Sequence, residues 1–170
     1  MKFFVALLLF TGIAFSDNST LIQPDGKKVV VSTSSNEGKK SFLITRYEVN
    51  GNLDTTFRTT GHAVYRLASL NSEGFAVELQ PDNHILVGGK VTDARGKNRF
   101  GILRMVTNGN LDTTFNTGGY SVSYEKNKFI KKITLEEGQS SSHFVIAAWG
   151  CAQEENCTTV KRFQTNGSGF

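Results

Sequence analysis

The sequence predicts an all-β fold built from about three copies of one four-stranded unit, and three observations carry that reading. The octapeptide NGNLDTTF stands at Asn50–Phe57 and again, unchanged, at Asn108–Phe115, 58 positions further on. Self-similarity at a fixed period of this size marks an architecture of stacked supersecondary units. Between the copies lie short runs of branched and aromatic residues bounded by Gly, Pro, Asn or Asp, the pattern of strands and tight turns. Beyond the first residues, no segment carries a sustained helical period.

Residues 1–16 read as a secretory signal peptide: Lys2, an apolar run Phe3–Phe15, and small residues at Ala14 and Ser16 for cleavage. That run is short for a membrane span, and no later segment is apolar enough for one. The expected mature domain is 17–170, starting at Asp17, with units at about 20–60, 61–118 and 119–170. Loss of Lys2 takes the formal charge from +4 to +3, a mild excess. Lys27-Lys28, Lys39-Lys40 and Lys131-Lys132 sit mostly beside turn signals and read as solvated strand ends, so no nucleic-acid partner is expected.

In the first unit, Gln23-Pro24-Asp25 is a turn. It recurs as Gln80-Pro81-Asp82, and these hold the only two prolines of the chain. Proline presets such a turn and cannot donate to a central ladder. Val29–Val31 is a continuous apolar run. Phe42–Val49 is apolar on both sides, with Phe42 and Ile44 facing one way and Leu43, Tyr47 and Val49 the other. Strands of this kind are buried on both faces, which in a repeat array means a sheet packed on either side. Asn50-Gly51 and Asn108-Gly109 predict type I′ turns. The LDTTF that follows predicts an ordered loop, with Asp54 and Thr55 bonding the backbone two residues on and Phe57 anchoring by burial.

The second unit is expected to hold strands at His62–Leu67, Gly74–Gln80, His84–Val91 and Arg99–Val106. Gly88-Gly89 reads as close strand packing rather than a phosphate cradle. The third unit is degenerate: Val160, Arg162, Asn166 and Gly167 match Ile102, Arg104, Asn108 and Gly109 at the same offset, and only a last strand and its turn are legible. Cys151 and Cys157 flank a polar connection in this unit. In an oxidising compartment such a pair closes a short loop as a disulfide.

Arg46, Arg104 and Arg162 are the charged set that recurs in all three units. They read as inter-blade ion pairs or as bonds to loop carbonyls or to the Asp of LDTTF. The alternative is a ring of guanidinium groups binding an anion. Asp54 with Asp112, and Asp25 with Asp82, also recur. A catalytic pair breaks symmetry, whereas a turn former is copied with its turn, so these acids read as structural. The three histidines show no metal-ligand spacing, no nucleophile or phosphate-loop motif occurs, and neither catalytic residues nor a cofactor is expected. Trp149, with Tyr120 and Tyr124, is a candidate sugar-stacking surface.

The pattern QPDGK-x-V, then F-x-I-x-R, then NGNLDTTF, then Gly resembles the delta-60 repeat, a bacterial β-propeller-like repeat. Gln23–Lys27, Arg46, Asn50–Phe57 and Gly61 carry the resemblance in the first copy. Gln80–Asp82, Arg104, Asn108–Phe115 and Gly118-Gly119 carry it in the second. Asn83 replaces the usual turn glycine. The resemblance implies a bacterial, exported, propeller-type array and no particular activity. Closed propellers usually hold four or more blades, so two good units and one broken one predict a short or incomplete propeller. Its open faces call for a protein partner, self-association or divergent end caps. The expected function is a non-enzymatic interaction or scaffold protein of the bacterial envelope, periplasm or exterior; the alternative is a secreted carbohydrate-binding module.

Overall fold

The computed structural model describes residues 19–123, 128–137, 144–151 and 161–163. The signal-like segment 1–16, Cys157 and His143 lie outside them, and so does the expected disulfide.

Three antiparallel meanders make up the described chain. β1 (Thr20–Ile22), β2 (Lys28–Asn36), β3 (Lys39–Tyr47) and β4 (His62–Tyr65) form the first sheet in chain order. β5 (Asn71–Leu79), β6 (Ile85–Thr92), β7 (Asn98–Met105) and β8 (Tyr120–Val122) form the second in the same way. β9 (Lys128–Glu137), β10 (Phe144–Cys151) and β11 (Lys161–Phe163) form a third. The first unit opens with β1, which pairs Thr20–Ile22 with Val30–Lys28. The third unit is also better formed than its sequence suggests, with three paired strands among the described residues. The sheets are offset from units taken to begin near 61 and 119: β4 and β8 follow the octapeptide yet complete the sheet that precedes it.

The turns differ from the type I′ expectation. Gly51 N–H donates to Glu48 O and Glu48 N–H to Asn52 O, closing a three-residue loop in which Gly51, at φ +87°, holds the left-handed position and Asn50 does not. The Asn50 side chain instead accepts the Asn52 N–H at 3.0 Å. The same loop, a type I turn followed by a left-handed residue, recurs at Gln23–Lys27, Gln80–His84, Asp93–Lys97 and Val106–Asn110. Two successive positive-φ residues of the type I′ kind occur at Glu37-Gly38, between β2 and β3.

Packing follows the strand alternation. Val29, Val31, Phe42, Ile44 and Phe57 turn to one side of the first sheet and are buried against Val77, Ile85, Val87, Leu103 and Met105 of the second. From the other side of the second sheet, Leu86, Phe100, Ile102 and Phe115 pack on Ile130 and Ile133 of β9. Each sheet thus has a rear face toward the next sheet and a front face toward the one before. β6 is nearly all buried because it lies between two sheets. β3 was expected to be buried on both faces, but Leu43 is half-buried and Val49 exposed, because no described sheet stands before the first. At Gly88 a Cβ would lie 2.5 Å from Ile130 of the next sheet; at Gly89 it would lie 1.9 Å from the Glu73 carbonyl oxygen of the paired strand β5 and 2.9 Å from the Phe42 ring of the sheet before. Their missing side chains let the paired strand and the neighbouring sheets approach, the close strand packing the sequence suggests.

Candidate functional site: the octapeptide latch

The LDTTF loop is held by its own strand. Asp54 N–H donates to Arg46 O and Phe57 N–H to Asp54 O. Asp54 Oδ1 accepts the Thr56 N–H at 2.9 Å and the Thr56 hydroxyl at 2.5 Å, the expected local bond from Asp54. Arg46, buried near the end of β3, donates Nε to Asp54 Oδ2 at 2.6 Å and reaches Thr56 Oγ1 at 3.3 Å. Its guanidinium lies 4.7 Å from the centroid of the buried Phe57 ring. The second copy repeats the set: Arg104 to Asp112 at 2.7 Å, Arg104 to Thr114 at 3.2 Å, and Arg104 over Phe115 at 5.0 Å. A planar fork that satisfies a carboxylate and a hydroxyl while stacking on a ring is a role lysine cannot fill.

A second basic side chain approaches each aspartate from the preceding turn. Lys27 Nζ donates to Asp54 Oδ2 at 2.8 Å and to Glu48 Oε1 at 3.1 Å. At the equivalent place His84 Nε2 lies 3.3 Å from Asp112 Oδ2; its Nδ1 is 3.0 Å from Asp82 Oδ1 but is not aligned for a hydrogen bond. Burial alone pushes the Asp54 carboxyl up, yet the Lys27 ammonium, both Thr56 donors and Arg46 outweigh it and hold it well below the usual carboxylate range. Burial likewise opposes ionisation of Asp112, and the Thr114 hydroxyl and N–H with Arg104 overcome it, so its carboxyl is also lowered. Bonds to Asp54 and Glu48 raise Lys27.

The latch also joins the repeats. Arg46 Nη1 donates to Thr107 O, Arg58 N–H to Asn108 O at 2.9 Å, and Arg58 Nη1 to Asn110 Oδ1. Tyr65 Oη donates to Gly109 O at 2.6 Å. A Cβ on Gly109 would lie 2.7 Å from the Phe57 ring. The loop of the first copy is therefore a socket of donors, and the NGN turn of the second is a plug of acceptors seated in it. Thr56, Arg58, Thr59, Asn108 and Asn110 border an open cleft of about 320 Å³ where they meet.

The candidate residues of the sequence thus fall into place unevenly. Arg46 and Arg104 serve the aspartates of their own loops, and Arg46 adds the bond across repeats; the Arg162 side chain is outside what is described. Asp25 and Asp82 are exposed and accept the N–H groups of Lys27 and His84 at 3.1 Å, as turn formers do. No group of three metal-ligating side chains occurs among the described residues. Tyr120 is half-buried against the first core rather than open for stacking, and Tyr124 lies outside the described residues. Lys27, read as part of a solvated strand end, is instead bonded to Asp54 and Glu48, and His84, Arg58 and Tyr65 were missed. Repeat alignment sets Lys27 against His84, and their differing types hide a shared job.

Three successive meander sheets packed face to face, with the latch between the first two, define the class of protein: a β-propeller-type repeat array in an unclosed arrangement. Residues 23–57 and 80–115 match the model of a domain of unknown function, DUF5122, described as a beta-propeller; each match runs from the Gln-Pro-Asp turn to the latch phenylalanine. No curated protein and no solved structure matches the chain. No helix among the described residues is long and apolar enough to cross a membrane.

Proposed function

We propose that this chain is an exported bacterial protein without catalytic activity, a delta-60-type repeat that acts as a protein–protein interaction or scaffold component of the cell envelope. One observation carries the reading. The exposed large hydrophobics among the described residues are Ile22, Val49, Leu53 and Val64, at 60%, 74%, 41% and 55% exposure; Ile22 and Val64 lie on strands of the first sheet, Leu53 in its octapeptide and Val49 in the turn that leads into it. A cluster of this kind on one side of a small protein is the signature of a docking surface. The repeated acids support the non-catalytic reading, because Asp54 and Asp112 are saturated by cations and threonine donors. Export rests on the signal-like residues 1–16, and a Cys151–Cys157 disulfide suits that compartment.

The test is recovery of the protein from its native cell, with fractionation, N-terminal sequencing and mass spectrometry of what accompanies it. An envelope or extracellular fraction, a mature start at Asp17 and a stable protein partner or self-complex are expected. A cytoplasmic monomer with none would sink the reading. The polar cleft at Arg58, Asn108 and Asn110 favours a second reading, a carbohydrate-binding module. Glycan-array binding that is lost in Arg58→Ala would promote it.

A further inference from the structure

We infer that Asn50 is a modification site, where the side-chain amide is lost by spontaneous deamidation, and that the fold protects the identical Asn108 from the same reaction. Asparagine followed by glycine is where this chemistry meets least hindrance, because glycine carries no side chain and reaches backbone angles that other residues avoid. The octapeptide presents the pair twice, as Asn50-Gly51 and Asn108-Gly109, after a β-branched residue in each case, Val49 and Thr107. A further pair, Asn166-Gly167, lies outside the described residues.

The reaction needs only water. The Gly51 backbone nitrogen attacks Asn50 Cγ and a bond forms between them. The Cγ–Nδ2 bond breaks, and the proton of the Gly51 N–H passes through solvent to the leaving group, which departs as ammonia. Water then opens the cyclic imide at one of its two carbonyls, giving aspartate or isoaspartate.

Locally the two turns are alike. Gly51 N–H donates to Glu48 O and Gly109 N–H to Val106 O, both at 2.9 Å. Asn50 Oδ1 and Asn108 Oδ1 each accept the N–H two residues on at 3.0 Å. Both asparagines are exposed. The glycine nitrogen reaches Cγ only when the turn gives up these bonds, so each rate follows the population of an opened turn.

Opening is where the copies differ. The carbonyls of Thr107, Asn108 and Gly109 and the Asn110 side chain are held by Arg46, Arg58 and Tyr65 of the preceding repeat. Gly109 is also buried against the Phe57 ring. Among the described residues no donor holds the carbonyls of Val49, Asn50 or Gly51, and Gly51 is exposed with nothing within 4 Å of an added Cβ. Each extra bond that must break lowers the opened population several-fold. Asn50 is therefore expected to deamidate at least about tenfold faster than Asn108 in the folded chain. The product sets a new carboxylate beside the exposed Val49 and Leu53. That this alters a docking surface rests on the interaction reading above; the modification itself does not.

The test is incubation of the purified protein at mildly alkaline pH, folded and in urea, with peptide mapping by mass spectrometry that separates asparagine, aspartate and isoaspartate at positions 50 and 108. The expected result is conversion at Asn50 well ahead of Asn108 in the folded protein and convergence of the two rates in urea. Tyr65→Phe, which frees the Gly109 carbonyl, should speed Asn108 and leave Asn50, measured in the same sample, unchanged. Equal rates in the folded protein overturn the inference. So does a difference that urea leaves intact, because it would come from the flanking residues and not from the seated turn. Neither result bears on whether the protein has a partner, which the recovery from native cells decides separately.

Discussion

Arg46 Nε and Asp54 Oδ2 are 2.6 Å apart and both side chains are buried, so the end of β3 and the loop eight residues later are one electrostatic unit. Removing one partner of a buried pair leaves the other charge uncompensated, which costs about 3–5 kcal/mol. Lys27 still contacts Asp54, so Arg46→Ala should fall near the lower end of that range. Arg46→Lys should also destabilise, because it cannot reproduce the fork. Urea unfolding followed by circular dichroism measures both; losses below about 1 kcal/mol would place the pair among ordinary surface bridges.

The pH dependence has a definite sign. Asp54 and Asp112 have folded-state carboxyls below their unfolded range, near about 3.9 for a free aspartate. The folded state therefore binds fewer protons than the unfolded one, and the stabilisation is fully present above the unfolded value and is lost as pH falls through and below it. Lys27 is raised, so its contribution is present below its unfolded value and fades as pH climbs through the raised one. Melting temperature should hold from neutral pH to mildly acidic pH and then drop below about pH 4. Asp54→Asn should lower the neutral-pH plateau and flatten that drop. An unchanged acid profile in this variant would show that other carboxylates govern it.

Tyr65→Phe removes the hydroxyl that donates to Gly109 O across the two repeats and leaves the ring in place. A loss of about 1 kcal/mol is expected, the usual net worth of such a hydrogen bond. Amide exchange should quicken in the Val106–Asn110 turn more than in β2 or β3. Uniform quickening would mean that the bond supports the first sheet rather than the joint.

The cysteine pair makes a separate prediction. Thiol titration of the unfolded protein, produced in an oxidising compartment, should find no free thiol, and reduction should cost up to roughly 2–3 kcal/mol of stability. Two reactive thiols in that material would remove the disulfide from the account.

Much of this was legible because the repeat prints the same residues wherever the same contacts recur. Phe57 with Phe115, Asp54 with Asp112 and Arg46 with Arg104 could be read as structural from their recurrence, and strand alternation separated Phe42 and Ile44 from Leu43. What could not be read depended on neighbours in space. The fuller burial of Phe42 and Ile44 than of Leu43 and Tyr47 on the other face of β3 goes with the second sheet packing on one side and no described sheet on the other, which local pattern does not record. The Asn50-Gly51 turn was misassigned because two-residue and three-residue loops share their residue preferences, and the hydrogen bond from Glu48 to Asn52 decides between them. Arg58 and Tyr65 occur beside only the first octapeptide, with Asn116 and Ser123 at the second, so recurrence could not flag them.

The central claim is that the octapeptide turn is a plug that seats in the loop of the preceding repeat, and a pair of glycine substitutions tests it most directly. Gly51 and Gly109 share the left-handed conformation, at φ +87° and +86°, so alanine at either carries a similar backbone cost of about 1–2 kcal/mol. Only at Gly109 does the new methyl meet the Phe57 ring, and such overpacking adds about 1–3 kcal/mol. Urea unfolding of Gly51→Ala and Gly109→Ala, at concentrations low enough to keep the chain monomeric, should show the larger loss at Gly109 by that margin. Equal losses at the two positions would contradict the account.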